Sequence, residues 1–187
     1  MENRKSPPQT VALGLTVGAA LLRLVPHPPN FAPVGSVALF GGAKLGGWQA
    51  YVIPILAMLV TDPILSHMAG YPAFSIATPI VYFCFLVNVL LGRLFLRNKA
   101  GALRVSGIAF IGSLQFFLLT NAFEWWFGIS NYPHNLAGLV TCYTEALPFF
   151  GRTVLADLFY SVALFSAYAV VSRRYSESAA LIKGRVG

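Results

Sequence analysis

Cys142 follows His134 by eight residues, a spacing at which a thiol and an imidazole can meet as nucleophile and base. His27, His67 and His134 are the only histidines, and with nearby acids such a set could serve a metal hydrolase. Their spacing matches no metal motif, however, and neither Gly-x-Ser-x-Gly nor His-Glu-x-x-His occurs. Two cysteines make no disulfide framework. Cys84 sits inside an apolar stretch, where it reads as a small apolar residue. The acids carry more weight. Asp62, Glu124 and Asp157 fall at the ends of apolar stretches or inside them, where a carboxylate is costly unless it is paired or faces water. Arg23 and Arg152 are the cations available to pair with Asp62, Glu145 or Asp157; the alternative is that these acids line a polar pocket. The pattern assigns no catalytic residue, no metal ligand and no cofactor, and the expectation is a protein that is not an enzyme.

The elements that carry these residues are hydrophobic. Of 187 residues, 57% are hydrophobic and only 10% are charged, with a mean hydropathy of +0.69. This is the composition of a membrane protein. Apolar stretches at about 11–25, 48–66, 73–96, 105–127 and 153–171 approach the ~20 residues that cross ~30 Å of hydrocarbon. Two segments are ambiguous. Residues 34–46 are apolar but short and glycine-rich, and residues 136–150 hold Glu145 and Pro148.

Basic residues arbitrate, because Lys and Arg collect on cytoplasmic flanks. Arg4 and Lys5, the run Arg93–Arg104, and Arg173–Arg185 are all basic and belong on one side. Even numbers of crossings must separate them. Residues 34–46 therefore count as a span, and residues 136–150 as an interfacial or re-entrant segment. The expected fold is an all-α, polytopic membrane bundle of six spans in one domain, with both termini cytoplasmic and a long outer loop between spans five and six. Only Arg23 and Arg152 of the 13 basic residues then lie outside. The net charge of +7 follows from this bias and calls for no nucleic acid. The expected location is the cell inner membrane, as a multi-pass protein in contact with the bilayer. The first apolar stretch follows Arg4 and Lys5 like a signal peptide, but Arg23 comes directly after it, so it reads as an uncleaved anchor.

All three histidines fall on the expected outer face, together with the aromatic run of the third loop. Trp125 and Trp126 could be an aromatic belt at a span end. They could also stack on a ligand with Tyr132 and Tyr143, oriented by His27, Asn30, Asp62, His134, Cys142, Glu145 and Asp157. On the first span, Ala12, Thr16 and Ala20 recur every four residues, as do Gly14 and Gly18. Small residues at that spacing let another helix approach closely, from within the fold or from a partner subunit.

The stretch Pro26-His-Pro-Pro-Asn-Phe-Ala-Pro-Val-Gly-Ser-Val-Ala-Leu-Phe-Gly-Gly-Ala43, with Thr61-Asp62-Pro63, resembles an uncharacterised bacterial family of membrane transport proteins. The stretches 131–139 and 141–150, then Asp157 and Leu158, are similar to the same family. More loosely, the architecture resembles the substrate-binding S components of energy-coupling factor transporters. That resemblance implies capture of a micronutrient, a vitamin or its precursor, from outside. It also implies a transmembrane coupling subunit docked on the first span and partner ATPase subunits. The chain itself has no phosphate-binding Gly-x-x-x-x-Gly-Lys-Ser/Thr loop. It also lacks the Met-His start of nickel and cobalt members, which argues against a bare metal ion as substrate. Two other classes compete with capture. An intramembrane enzyme would lose turnover on Cys142→Ser, and a structural envelope protein would tolerate changes at every outer polar residue.

Overall fold

The computed structural model describes residues 9–70 and 72–186, and their side chains except Ser176 and 179–186. Arg4 and Lys5, and the side chains of Lys183 and Arg185, lie outside these described residues. Six α-helices follow in order: α1 (Gln9–Leu21), α2 (Val34–Lys44), α3 (Gln49–Ala69), α4 (Thr78–Leu91), α5 (Ala102–Trp126) and α6 (Leu136–Val186). A short 3₁₀ turn, Leu22–Leu24, extends α1, and a π turn, Gly92–Leu96, extends α4. No strand occurs among the described residues.

Among the described residues, four helices are long and apolar enough to cross a membrane: Gln49–Ala69, Thr78–Leu96, Ala102–Trp126 and the part of α6 spanning Leu136–Tyr175. Their surfaces stay apolar. Val60, Leu94, Phe83, Leu155 and Phe159 are all more than half exposed. Such a surface suits lipid, where the backbone must be satisfied within each helix. The chain is therefore a helical membrane protein.

The centre of the bundle is α2. Nine of its eleven residues are buried. Eleven residues reach only about 16 Å, yet the segment read as the weakest span packs against α1, α3, α4 and α6. Its glycines make this packing possible. A Cβ on Gly42 would lie 2.1 Å from the Val89 carbonyl oxygen, and one on Gly92 would lie 2.0 Å from that of Leu39. The α2 and α4 backbones thus touch where they cross. Phe40 fills the remaining space, edge-on to Phe165 and Tyr168.

Side-chain contacts define two ends of the bundle. Lys44 reaches the Arg97 carbonyl, Arg93 lies over the Tyr51 ring, and Gln9 meets Gly46 at one end. Arg23, Asp62 and Tyr82 meet towards the other.

Two expectations are corrected. Residues 136–150, expected as a segment apart from the sixth span, are continuous with it. They form the first part of α6, a single helix of 51 residues that runs through Pro148. The long loop expected between spans five and six shrinks to residues 127–135, because α5 continues to Trp126 and α6 starts at Leu136. The physical reason is pairing. Apart from Pro148, residues 136–150 have a helical pattern, and their apolar side packs along α5: Phe150 stacks on Phe117, and Tyr143 meets Phe117 edge-on.

The small-residue stripe of α1 also resolves. Ala12, Thr16 and Ala20 are buried inside the fold, with the Thr16 methyl 3.6 Å from where a Gly41 Cβ would sit. These three residues are therefore not an open docking face. Gly14 and Gly18 point elsewhere and are exposed, with nothing within 4 Å of an added Cβ.

Candidate functional site

At the Arg23 end the helices leave a cavity of about 640 Å³. The connection between α1 and α2 roofs it. Four prolines, Pro26, Pro28, Pro29 and Pro33, fix φ in this connection and lower its freedom. Asn30 adopts a left-handed φ of 62°, which Asn tolerates better than most residues. Phe31 anchors the roof on α6, 5.8 Å from the Tyr160 ring. Leu65 and Met68 of α3 line one wall, Phe85 and Asn88 of α4 another, and Phe116 of α5 a third. Asp157 of α6 closes the cavity at depth.

Asp157 is only 4% exposed. Its Oδ2 accepts a 2.7 Å hydrogen bond from Ser113, and its Oδ1 lies 3.5 Å from the Ser36 hydroxyl. Ser36 also donates to the Asp157 backbone carbonyl at 3.1 Å, and Ser161 donates to Ser36. Three helices thus converge on one carboxylate. Gly35 makes room for it, since a Cβ there would lie 2.4 Å from Asp157 Oδ1. Gly35 is the second residue of α2, so the positive end of that helix also faces the carboxylate. Ser113→Ala is expected to cost about 1–3 kcal/mol, the range for leaving a buried polar group without its partner. Thermal unfolding in detergent measures this, and an unchanged midpoint would mean that the bond contributes nothing.

A second polar group braces the wall. Arg23 donates to Asp62 and to Thr61, each at 2.8 Å, and Tyr82 donates to the other Asp62 oxygen at 2.7 Å. This is the sole salt bridge among the described residues. Arg23 lines the cavity, and its buried Nε has no partner among the described residues. Asn88 is held through its Oδ1 by Gln115, which leaves its amide NH₂ without a protein partner among the described residues. Gly112 passes directly behind Asn88.

The structure divides the residues selected from sequence. His27, Asn30 and Asp157 line the cavity, and Asp62 stands behind Arg23. His27 donates from Nδ1 to the Val25 carbonyl within the roof. The remaining residues are elsewhere, on the α5–α6 hairpin. Trp125 donates to the Pro133 carbonyl, and its ring lies tilted against that of His134, centroids 5.5 Å apart. Tyr143 donates to Leu118 O, and Cys142 to Asn121 O. Trp126 is 68% exposed. Tyr132 donates to Glu145, and that hydrogen bond pushes the phenol up to about 12. Ser130 donates to Glu124. These contacts knit the hairpin together, and Trp125, Trp126 and Tyr143 border a shallow apolar groove beside Ile80. Among the described residues, no three His, Cys, Asp or Glu side chains are placed to hold a metal ion.

Three site residues, Ser36, Ser113 and Gly35, had little or no sequence signal. Ser36 and Ser113 are ordinary serines in apolar stretches, and only the helix packing shows that both serve Asp157. Gly35 reads as one more packing glycine. Asn88 reads in the sequence either as a hydrogen-bonding residue of a polar pocket or as one that holds helices together, and it does both, bonding Gln115 and lining the cavity.

The comparisons with curated proteins and with solved structures found no match. The profile of one family, described as a family of unknown function (DUF6580), matches residues 3–180, nearly the whole chain. The chain therefore belongs to the DUF6580 family of unknown function.

Proposed function

We propose that this protein captures a small molecule from the outer side of the cell inner membrane and holds it in the cavity beneath the α1–α2 connection. The observation that carries this reading is the cavity itself. It is large enough for a vitamin-sized ligand, mostly apolar in its walls, and fitted with a few convergent polar groups. An acid buried at that depth is costly unless it has a role.

The orientation follows from charge. Lys44, Arg93, Arg97, Lys99, Arg104, Arg173 and Arg174 belong to the end opposite the cavity or to segments that continue from it. With that end cytoplasmic, as the positive-inside rule requires, both termini are cytoplasmic and the cavity opens outward. In a background of Cys84→Ala and Cys142→Ala, a cysteine replacing Asn135 should react with a membrane-impermeant maleimide added to intact cells. A cysteine replacing Lys99 should react only after permeabilisation. The reverse pattern would invert the topology.

The chain binds without catalysing in this reading, and energy for release or transport comes from partners. A coupling subunit with ATPase subunits, as in the S-component resemblance, would supply it. Of the small-residue stripe, only Gly14 and Gly18 remain open to such a partner. The test of capture is native mass spectrometry of the protein extracted gently from its host. A stoichiometric adduct released on denaturation is expected, and protein that is always free of any adduct would sink the reading.

A further inference from the structure

From the charge balance of the cavity we infer that its ligand is a small organic cation, an ammonium group on an apolar or aromatic body. This rests on the capture reading above and names its ligand class. Besides the roof histidine, two ionisable side chains line the cavity, Arg23 and Asp157. Arg23 is neutralised by Asp62 at 2.8 Å, so the pair presents no net charge. Asp157 has no such counterpart. Its partners are hydroxyls, and no cation among the described residues pairs with it. Out of water a lone carboxyl stays ionised only at high cost and otherwise takes up a proton, and the serine donors and the α2 N-terminus offset only part of that cost. A ligand ammonium completes the pair.

The walls fit the rest of such a ligand. Phe85 and Phe116 both line the cavity, with ring centroids 5.4 Å apart. Aromatic faces attract organic cations, most strongly where water is excluded. Asn88 adds hydrogen-bond donors for an acceptor elsewhere on the ligand. The roof adds prolines and Val25, apolar surface without further acid. A free metal ion would leave most of about 640 Å³ unfilled, which favours an organic body.

The test compares three probes of one shape: phenethylammonium, phenethyl alcohol and phenylacetate. Each is titrated into the full chain in nanodiscs of neutral lipid, so that the bilayer does not concentrate the cation. Phenethylammonium should bind roughly tenfold or more tightly than the alcohol, with phenylacetate weakest. Asp157→Asn, which keeps the size and one of the two acceptor oxygens, should erase that preference. Phe116→Leu leaves the acid in place and should weaken the cation severalfold while barely changing the alcohol. Thermal unfolding of each variant establishes that it is folded. Equal or tighter binding of the alcohol or phenylacetate, a cation preference that survives Asp157→Asn, or no binding of phenethylammonium to folded protein would overturn the assignment. The capture reading fails separately, on the absence of any co-purified molecule. A co-purified anion would therefore refute the cation and leave capture standing.

Discussion

Replacing Gly92 by valine is expected to leave almost no folded protein. The first added carbon would sit 2.0 Å from the Leu39 carbonyl oxygen and 2.8 Å from its carbon. Both are backbone atoms and cannot swing aside as a flexible side chain would. Ordinary overpacking costs about 1–3 kcal/mol because neighbours yield. Here α2 and α4 must separate, and α2 is the element on which most of the bundle packs. A cost above about 3 kcal/mol follows, against a total stability that is typically only about 5–15 kcal/mol. Gly42→Val should behave alike from the opposite side, since its Cβ would meet Val89 O at 2.1 Å. Gly107→Ala is the control. Nothing lies within 4 Å of its added carbon, and alanine favours helix by up to ~1 kcal/mol over glycine. Gel filtration in detergent and thermal unfolding read all three. A Gly92→Val protein that is monodisperse with an unchanged midpoint would contradict the central placing of α2.

Arg23→Met should be the most damaging change at the cavity wall. It strips the cation from Asp62 and leaves that carboxylate with only the Tyr82 hydroxyl. Removing one partner of a buried pair costs about 3–5 kcal/mol. The two side chains are 14% and 22% exposed, so water relieves part of this, and about 2–3 kcal/mol is expected. Neutralising the second partner should recover much of the loss, because the penalty belongs to the uncompensated charge. Arg23→Met with Asp62→Asn should therefore unfold closer to the wild type than Arg23→Met alone. Strictly additive losses would show that the two groups do not interact.

Much of the helix order was legible because charge and apolar length are strong signals. The parity of the basic clusters made 34–46 count as a crossing helix although its length argued against it, and a helix stands there as α2. The break before residue 153 was misread for a local reason. Glu145, Pro148 and Arg152 interrupt the apolar pattern, but a helix paired along its neighbour can carry such interruptions. The candidate site was half legible. His27, Asn30 and Asp157 could be named from residue type and position, and Arg23 was named as a partner for Asp62. The rings and polar side chains of 121–152 were grouped with the cavity residues because sequence does not show which side chains on one face share a pocket. Tertiary structure separates them: they close the α5–α6 hairpin on itself, whereas Asp157 lies deeper, between three helices. Periodicity showed that small residues recur on α1 but not which helix they meet. Gly41 of α2 takes the Thr16 side.

The most direct test places one blocking substitution in the cavity and one on the aromatic hairpin. Leu65→Trp fills the cavity from α3 and leaves Asp157 and Arg23 unsubstituted. Trp126→Ala removes the most exposed ring of the hairpin. Native mass spectrometry of both variants, extracted from the host beside the wild type, reports the bound molecule. The account predicts a stoichiometric adduct that persists in Trp126→Ala and disappears in folded Leu65→Trp. An adduct that survives Leu65→Trp and is lost in Trp126→Ala would move the binding site to the hairpin and contradict the account.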